Sequence, residues 1–258
     1  MTIDNGQDKL VIGGKEFHSR FILGSGGYHA DFIRAAVEEA GAEIVTMSIR
    51  RADPGMDSIL DYIPDNVTLM ANTSGARDAR EAVRAARLAR ELGAGDFVKV
   101  EIMRNRRYLI PDNLEVVKAT EKLAEEGFKV MACVMPDLYI ARDLVNSGAA
   151  AIMPMASPRG SNRGLASREF IQMLINEIEI PVIIDAGLGR PSQACEVMEM
   201  GADAVSCNSG VATAGNIPMM ARAFGEAVRA GRRACLAGLG RVLEQGADPV
   251  PLKELTGR

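Results

Sequence analysis

One pattern constrains this chain more than any other: a short run of aliphatic residues followed by a stretch with helical spacing, eight times over. The runs fall at 21–25, 43–49, 68–73, 97–103, 129–134, 151–157, 181–187 and 204–210. Their interiors are nearly continuous Val, Ile, Leu, Met and Ala, as expected of parallel strands covered on both faces. Between them lie helical segments near 30–40, 76–92, 114–126, 138–147, 167–177, 192–200 and 218–230. In 76–92, Ala79, Val83, Ala86 and Arg90 step by three or four, while Arg77, Arg80, Arg84 and Glu91 supply a polar side. Several segments stop at glycine (Gly41, Gly93, Gly127, Gly148, Gly201, Gly231), which tolerates the left-handed conformation that ends a helix. Strand-then-helix units spaced about 20 to 30 residues apart imply a (β/α)8 TIM barrel, a single α/β domain over 1–258. A doubly wound open sheet uses the same units, but eight of them with no break in composition favour closure. The segment 237–258 contains Gly and Pro and is expected to be a terminal turn and a mobile tail.

Composition narrows the function classes. A chain of 258 residues, 47% hydrophobic and 25% charged, buries a large core without metals or disulfides. Thirty basic against 34 acidic side chains give a formal charge of −4, which argues against nucleic acid or an anionic membrane as partner. No apolar stretch approaches the roughly 18 residues of a membrane span. The start, MTIDNGQDKL, is polar and unlike a signal peptide, so a cytoplasmic location is expected. The cysteines at 133, 195, 207 and 235 form no CxxC pair, and His18 and His29 are the only histidines. Neither a zinc framework nor a disulfide scaffold follows from that set. The thiols read as small buried hydrophobes, and no metal or cofactor is expected.

In a barrel of this kind chemistry sits at the C-terminal ends of the strands. Alternation along 97–103 puts Phe97, Lys99, Glu101 and Met103 on one face and Val98, Val100 and Ile102 on the other. The branched aliphatics belong against the helices, so Lys99 and Glu101 should point into the barrel. Desolvation there lowers a lysine pKa, and a neutral amine can attack a carbonyl to form a Schiff base. Glu101 would handle protons during enolisation. The alternative is an internal Lys–Glu ion pair that holds the barrel together. Asp185 closes an apolar run and is either a second acid–base group or a cap on the following helix. The loops 186–189 and 208–210 follow the last two strands, where this fold cradles phosphate; ordinary turn glycines are the other reading. The loop 157–164 is polar and basic enough to assist, or is a solvated lid. Gly24-Ser25-Gly26-Gly27 lacks the third spaced glycine of a dinucleotide fingerprint. Arg50-Arg51 and 72–75 also lie at strand ends.

Several of these stretches together resemble the thiazole synthase family of thiamine biosynthesis. They are LGSGGY (23–28), SIRR (48–51), NTSG (72–75), FVKVE (97–101), LIPD (109–112), AIMPMASPRGSNRGL (151–165), PVIIDAGLGRPS (181–192) and MGADAVSCNSGVA (200–212). The likeness is collinear from about residue 10 to 238. It implies a (β/α)8 enzyme, of the transferase class, that joins 1-deoxy-D-xylulose 5-phosphate, dehydroglycine and sulfur. The sulfur would arrive as the thiocarboxylate of a small ubiquitin-like carrier protein. The resemblance implies that Lys99 forms the imine with the sugar ketone and that Glu101 and Asp185 serve acid–base steps. It further implies phosphosugar contacts at Gly160, Ala186, Gly187, Asn208 and Ser209, and a homo-oligomer, dimer or tetramer. The family more often has Thr at Ser209, Lys at Gly27, a PIGSG-like loop at 158–162 and paired acids at 134–137. Competing readings are a class I aldolase, a pyridoxal 5′-phosphate synthase type of barrel, and a phosphosugar-binding barrel without catalysis.

Overall fold

The chain enters through a hairpin that the periodicity does not announce, β1 (Leu10–Ile12) paired antiparallel with β2 (Lys15–Phe17). The computed structural model describes residues 8–24, 30–48, 63–105 and 107–244. Each of the eight aliphatic runs then supplies a strand: β3 (Phe21–Gly24), β4 (Ile44–Ser48), β5 (Thr68–Asn72), β6 (Phe97–Val100), β7 (Lys129–Val134), β8 (Ala151–Pro154), β9 (Ile183–Asp185) and β10 (Ala204–Cys207). They pair in parallel in the order β8-β7-β6-β5-β4-β3-β10-β9. The ends of that order also meet. Ile152 N donates to Pro181 O at 2.9 Å and Ala156 N to Asp185 O at 2.9 Å, so β8 and β9 close the ring. An open sheet has no such contacts; the fold is a single-domain TIM barrel.

The helices are α1 (Ala30–Ala40), α2 (Ala79–Glu91), α3 (Asn113–Glu125), α4 (Leu138–Asn146), α5 (Arg168–Glu177), α6 (Pro191–Glu199), α7 (Ser209–Ala212) and α8 (Ile217–Ala237). Side-chain oxygens of Asp78, Asp112 and Asp137 cap α2, α3 and α4 by accepting from the N–H three residues on. Gly41, Gly93, Gly127, Gly148 and Gly201 take positive φ, from 74° to 102°, as their helix-stop reading requires. Gly231 does not stop a helix. It lies within α8, where an added Cβ would sit 2.3 Å from Cys195 O of α6. Its glycine permits close helix packing. No helix among the described residues is long and apolar enough to cross a membrane.

The strands' two faces divide as alternation requires. Val98, Val100 and Ile102 pack outward with Ala86 of α2 and with Val116 and Leu123 of α3. Facing inward, Ile22, Ile44, Met70, Met131, Ala151, Ile183 and Ala204 form an apolar layer at the N-terminal end of the barrel. Leu10, Ile12 and Phe17 of the hairpin pack onto that layer and plug its mouth. Toward the C-terminal ends the interior turns polar, with buried Thr46, Asn72, Lys99, Glu101, Asp185 and Ser206. The expectations at Ser25, Gly26, Gly27, Ile49, Arg50, Arg51 and 245–258 lie outside the described residues; α8 itself ends at Ala237, where the tail was expected to begin.

Candidate active site

Lys99 sits mid-way along β6 and is only 4% exposed. Its Nζ lies 2.5 Å from Asp185 Oδ2 at the end of β9 and 3.8 Å from Glu101 Oε2. Asp185 does not cap α6, whose N-cap position is Arg190. Glu101 is held at both backbone atoms by Thr73, whose hydroxyl donates to Glu101 O at 3.1 Å and accepts from Glu101 N at 2.9 Å. Its Oε2 takes a short hydrogen bond from a guanidinium nitrogen of Arg159, and the other terminal nitrogen of Arg159 donates to Ser74 Oγ at 2.9 Å. Glu101 Oε1 is buried with no hydrogen-bond partner among the described residues. Ser206 stands opposite Asp185 in the β9–β10 register and favours its charged form, and the Cys133 thiol donates to Asp185 Oδ2 at 3.5 Å.

Two cations and two carboxylates thus meet at one largely buried place, and their charges bear on protonation. Burial is the largest single influence and pushes the Lys99 ammonium toward neutrality, but Asp185, Cys133 and Glu101 together outweigh it. The net direction is upward. This corrects the expectation from desolvation alone, which has the lysine lowered: that reading leaves out the carboxylate from β9. Burial likewise favours a protonated Asp185, yet the charge and hydrogen bond of Lys99 hold its pKa below the usual carboxylate value. Cys133, buried beside Asp185, is pushed well above the usual thiol range.

Above Lys99 and Asp185 opens a cavity of about 480 Å³, which they line with Arg159, Asn72 and Ser74. Gly160, Ala186, Gly187, Asn208 and Ser209, the five residues singled out in the sequence for the phosphosugar, all line it too. The backbone is specialised there. Ala186 and Gly187 follow Asp185 with φ of 55° and 79°. A Cβ on Gly187 would lie 1.9 Å from Ser157 Oγ, so only glycine lets the exits of β8 and β9 pass this closely. Burial pushes the Cys207 thiol up to about 12, which makes it inert beside the last loop. A second cavity, of about 780 Å³, lies between the N-terminal end of the barrel and α8. Its Arg20 and Arg232 are paired with Asp8 at 2.8 and 2.6 Å.

Sequence reading assigns no site role to Cys133 or Ser206 and reaches Arg159 only as part of the basic loop 157–164. Ser206 stands opposite Asp185 in the β9–β10 register, and Met131, two residues before Cys133, stands opposite Lys99 in the β6–β7 register. Parity along β7 and β10 could have put both Cys133 and Ser206 on the inner face. Arg159 carried no such signal, because a loop has no parity.

The family described as thiazole biosynthesis protein ThiG matches residues 11–250. A thiazole synthase from Clostridium beijerinckii is 62% identical over 243 residues, covering 94% of this chain and 95% of that protein. One from Fusobacterium nucleatum is 59% identical with the same coverage. Among solved structures, the crystal structure of the Amycolatopsis orientalis BexX/CysO complex superposes with a TM-score of 0.83 at 32% identity, over 92% of this chain and 98% of that one. The 3-hexulose-6-phosphate synthase of Salmonella typhimurium, at a TM-score of 0.61 and 17% identity over 81% of this chain and 98% of that one, shares the fold alone.

Proposed function

The chain belongs to the thiazole synthase family of thiamine biosynthesis, and on that premise we propose that Lys99 carries the reaction as an imine with the ketone of 1-deoxy-D-xylulose 5-phosphate. The observation that carries the reading is the inward amine at the floor of the cavity, 2.5 Å from Asp185 Oδ2.

That contact supplies the proton inventory. Transfer of one proton from Lys99 Nζ to Asp185 Oδ2 leaves a neutral amine and a carboxylic acid. The amine's lone pair forms the C–N bond at the ketone carbon, giving a carbinolamine after proton transfer to oxygen. Asp185 then returns its proton to the carbinolamine hydroxyl, which leaves as water, and the iminium remains on Lys99. A carboxylate beside that iminium removes the adjacent C–H proton and yields the enamine; Glu101, 3.8 Å from Nζ, is in reach. The phosphate end belongs at the loops after β9 and β10, with contacts at Gly160, Ala186, Gly187, Asn208 and Ser209. There the first N–H groups of α7 have no partner within the helix.

Sulfur reaches the activated sugar as the thiocarboxylate of a ubiquitin-like carrier protein, and the C–N unit comes from dehydroglycine; the enzyme is a transferase acting in the cytoplasm as a homo-oligomer. That the related BexX crystallises as a complex with CysO supports a protein partner at this barrel.

Incubation with the phosphosugar and borohydride, followed by peptide mapping, tests the reading. A reduced sugar adduct on Lys99 is expected, and it is lost in Lys99→Ala with the fold retained. No adduct, or an adduct elsewhere, refutes it. Trapping without thiazole formation, once carrier thiocarboxylate and dehydroglycine are supplied, would assign an aldolase-type barrel instead.

A further inference from the structure

Of the charged quartet, Arg159 comes from the long loop after β8, and a turn fixes its place there. Pro158 and Ser161 close a turn through Ser161 N donating to Pro158 O at 3.1 Å, with Gly160 at φ 72° in the third position, where positive φ is needed. The Ser157 and Ser161 hydroxyls meet at 3.1 Å across it. Arg159 occupies the second position of this turn and is aimed at the cavity. It binds Ser74 beyond β5 and Glu101 beyond β6, and so ties three strand exits together. Its side chain is 34% exposed while that of Glu101 is 1% exposed, so one charge of the pair is at the rim and the other is sealed.

The consequence falls on Lys99. Among the described residues, the groups facing its amine are Asp185 of β9, Glu101 beyond β6, Cys133 of β7 and Arg159 itself. Glu101 Oε2 is nearer to Arg159 than to Lys99, and its Oε1 has no hydrogen-bond partner among the described residues. Without the guanidinium, that carboxylate would be free to turn its charge wholly on the amine. We infer that Arg159 is a positioning residue for this reaction: by drawing Glu101 Oε2 toward itself, it leaves Asp185 as the carboxylate nearest the Lys99 proton. The direct repulsion between the two cations acts in the same direction, since Arg159 opposes the protonated form of Lys99. The inference rests on the reading of Lys99 as the imine-forming amine.

The test is the pH profile of borohydride trapping in the full-length protein and its variants. In Arg159→Met the half-maximal pH moves up by roughly one unit, the scale of a lost neighbouring charge, and trapping near neutral pH falls about tenfold. Arg159→Lys, which keeps the charge but not the fork, recovers part of the shift. In Glu101→Gln/Arg159→Met the shift shrinks, because the carboxylate that Arg159 restrains is gone. An unshifted profile with uniformly reduced amplitude in Arg159→Met makes Arg159 a brace only and overturns the inference while leaving the Lys99 reading intact. A full shift that persists in the double variant overturns it as well. Absence of any adduct in the unaltered protein, at any pH, removes both.

Discussion

Exchanging the buried pair for apolar side chains separates its role in folding from the catalytic role proposed for it. Lys99 and Asp185 side chains are 5% and 7% exposed, so water screens neither. At 2.5 Å and an effective dielectric of about 20, their attraction is ~7 kcal/mol. Removing both ions from water costs several kcal/mol each, which offsets most of that gain. The intact pair is therefore close to neutral for stability, whereas half a pair is not. Lys99→Met leaves Asp185 to Ser206 and Cys133; Asp185→Leu leaves Lys99 to a Glu101 already held by Arg159. Each single change should destabilise by about 3–5 kcal/mol. Lys99→Met/Asp185→Leu together should restore unaltered stability or exceed it by about 1–4 kcal/mol. In thermal melts the singles fall by roughly 6–20 °C and the double variant returns to or above the starting Tm, with no imine trapping. The pH window follows from the shifts. The raised Lys99 contributes below its ordinary pKa and loses that contribution as pH rises through its higher folded value. The lowered Asp185 contributes above 3.8 and loses it as pH falls through its lower folded value. Melts between about pH 5 and 9 should thus give the same differences. A double variant as unstable as the sum of its singles would refute the reasoning.

Two further expectations concern the glycine behind the phosphate loop and the plug beneath the site. Gly187→Ala forces a Cβ within 2.8 Å of Ser157 N at φ 79°, so it should lose about 2–4 kcal/mol and raise the phosphosugar KM; an unchanged Tm and KM would contradict this. Phe17→Ala removes a buried ring set edge-on to Phe97 at 6.0 Å between centroids and should lower stability by about 3–5 kcal/mol. It should leave the trapping rate per folded molecule unchanged, and reduced trapping at full stability would show that the plug reaches the chemistry.

Where the sequence could be read, a periodic signal stood behind the reading. Eight buried runs carry a nearly continuous aliphatic pattern, and Val98 and Val100 flanking Lys99 fix which way the amine turns. The glycine stops were legible at five positions because a left-handed residue after a helix is a local requirement, and illegible at Gly231 because its reason is a neighbouring helix. The hairpin 10–17 was missed since two three-residue strands offer too little alternation to count. Asp185 was legible as an unusual acid but not as the partner of Lys99, and from that came the wrong sign for the lysine. Desolvation is a property of one position, whereas its compensation depends on a residue 86 places further along.

That last gap follows from closure of the sheet. β6 and β9 are not neighbours: β7 and β8 lie between them in the ring. With the β8–β9 seam open, β6 and β9 stand five strand spacings of about 4.8 Å, or about 24 Å, apart along the sheet, with side chains standing parallel rather than converging. No lysine and aspartate could then meet at 2.5 Å. Only when Ile152 and Ala156 hydrogen-bond to the backbone of Pro181 and Asp185 does the inner face turn in on itself and bring the two ions together across the lumen. The same closure shuts water out below, where the hairpin seals the apolar layer, and leaves the polar end open above. The contact between Lys99 and Asp185 is thus a product of the barrel as a whole. A change that loosened the β8–β9 seam would break it without touching either residue.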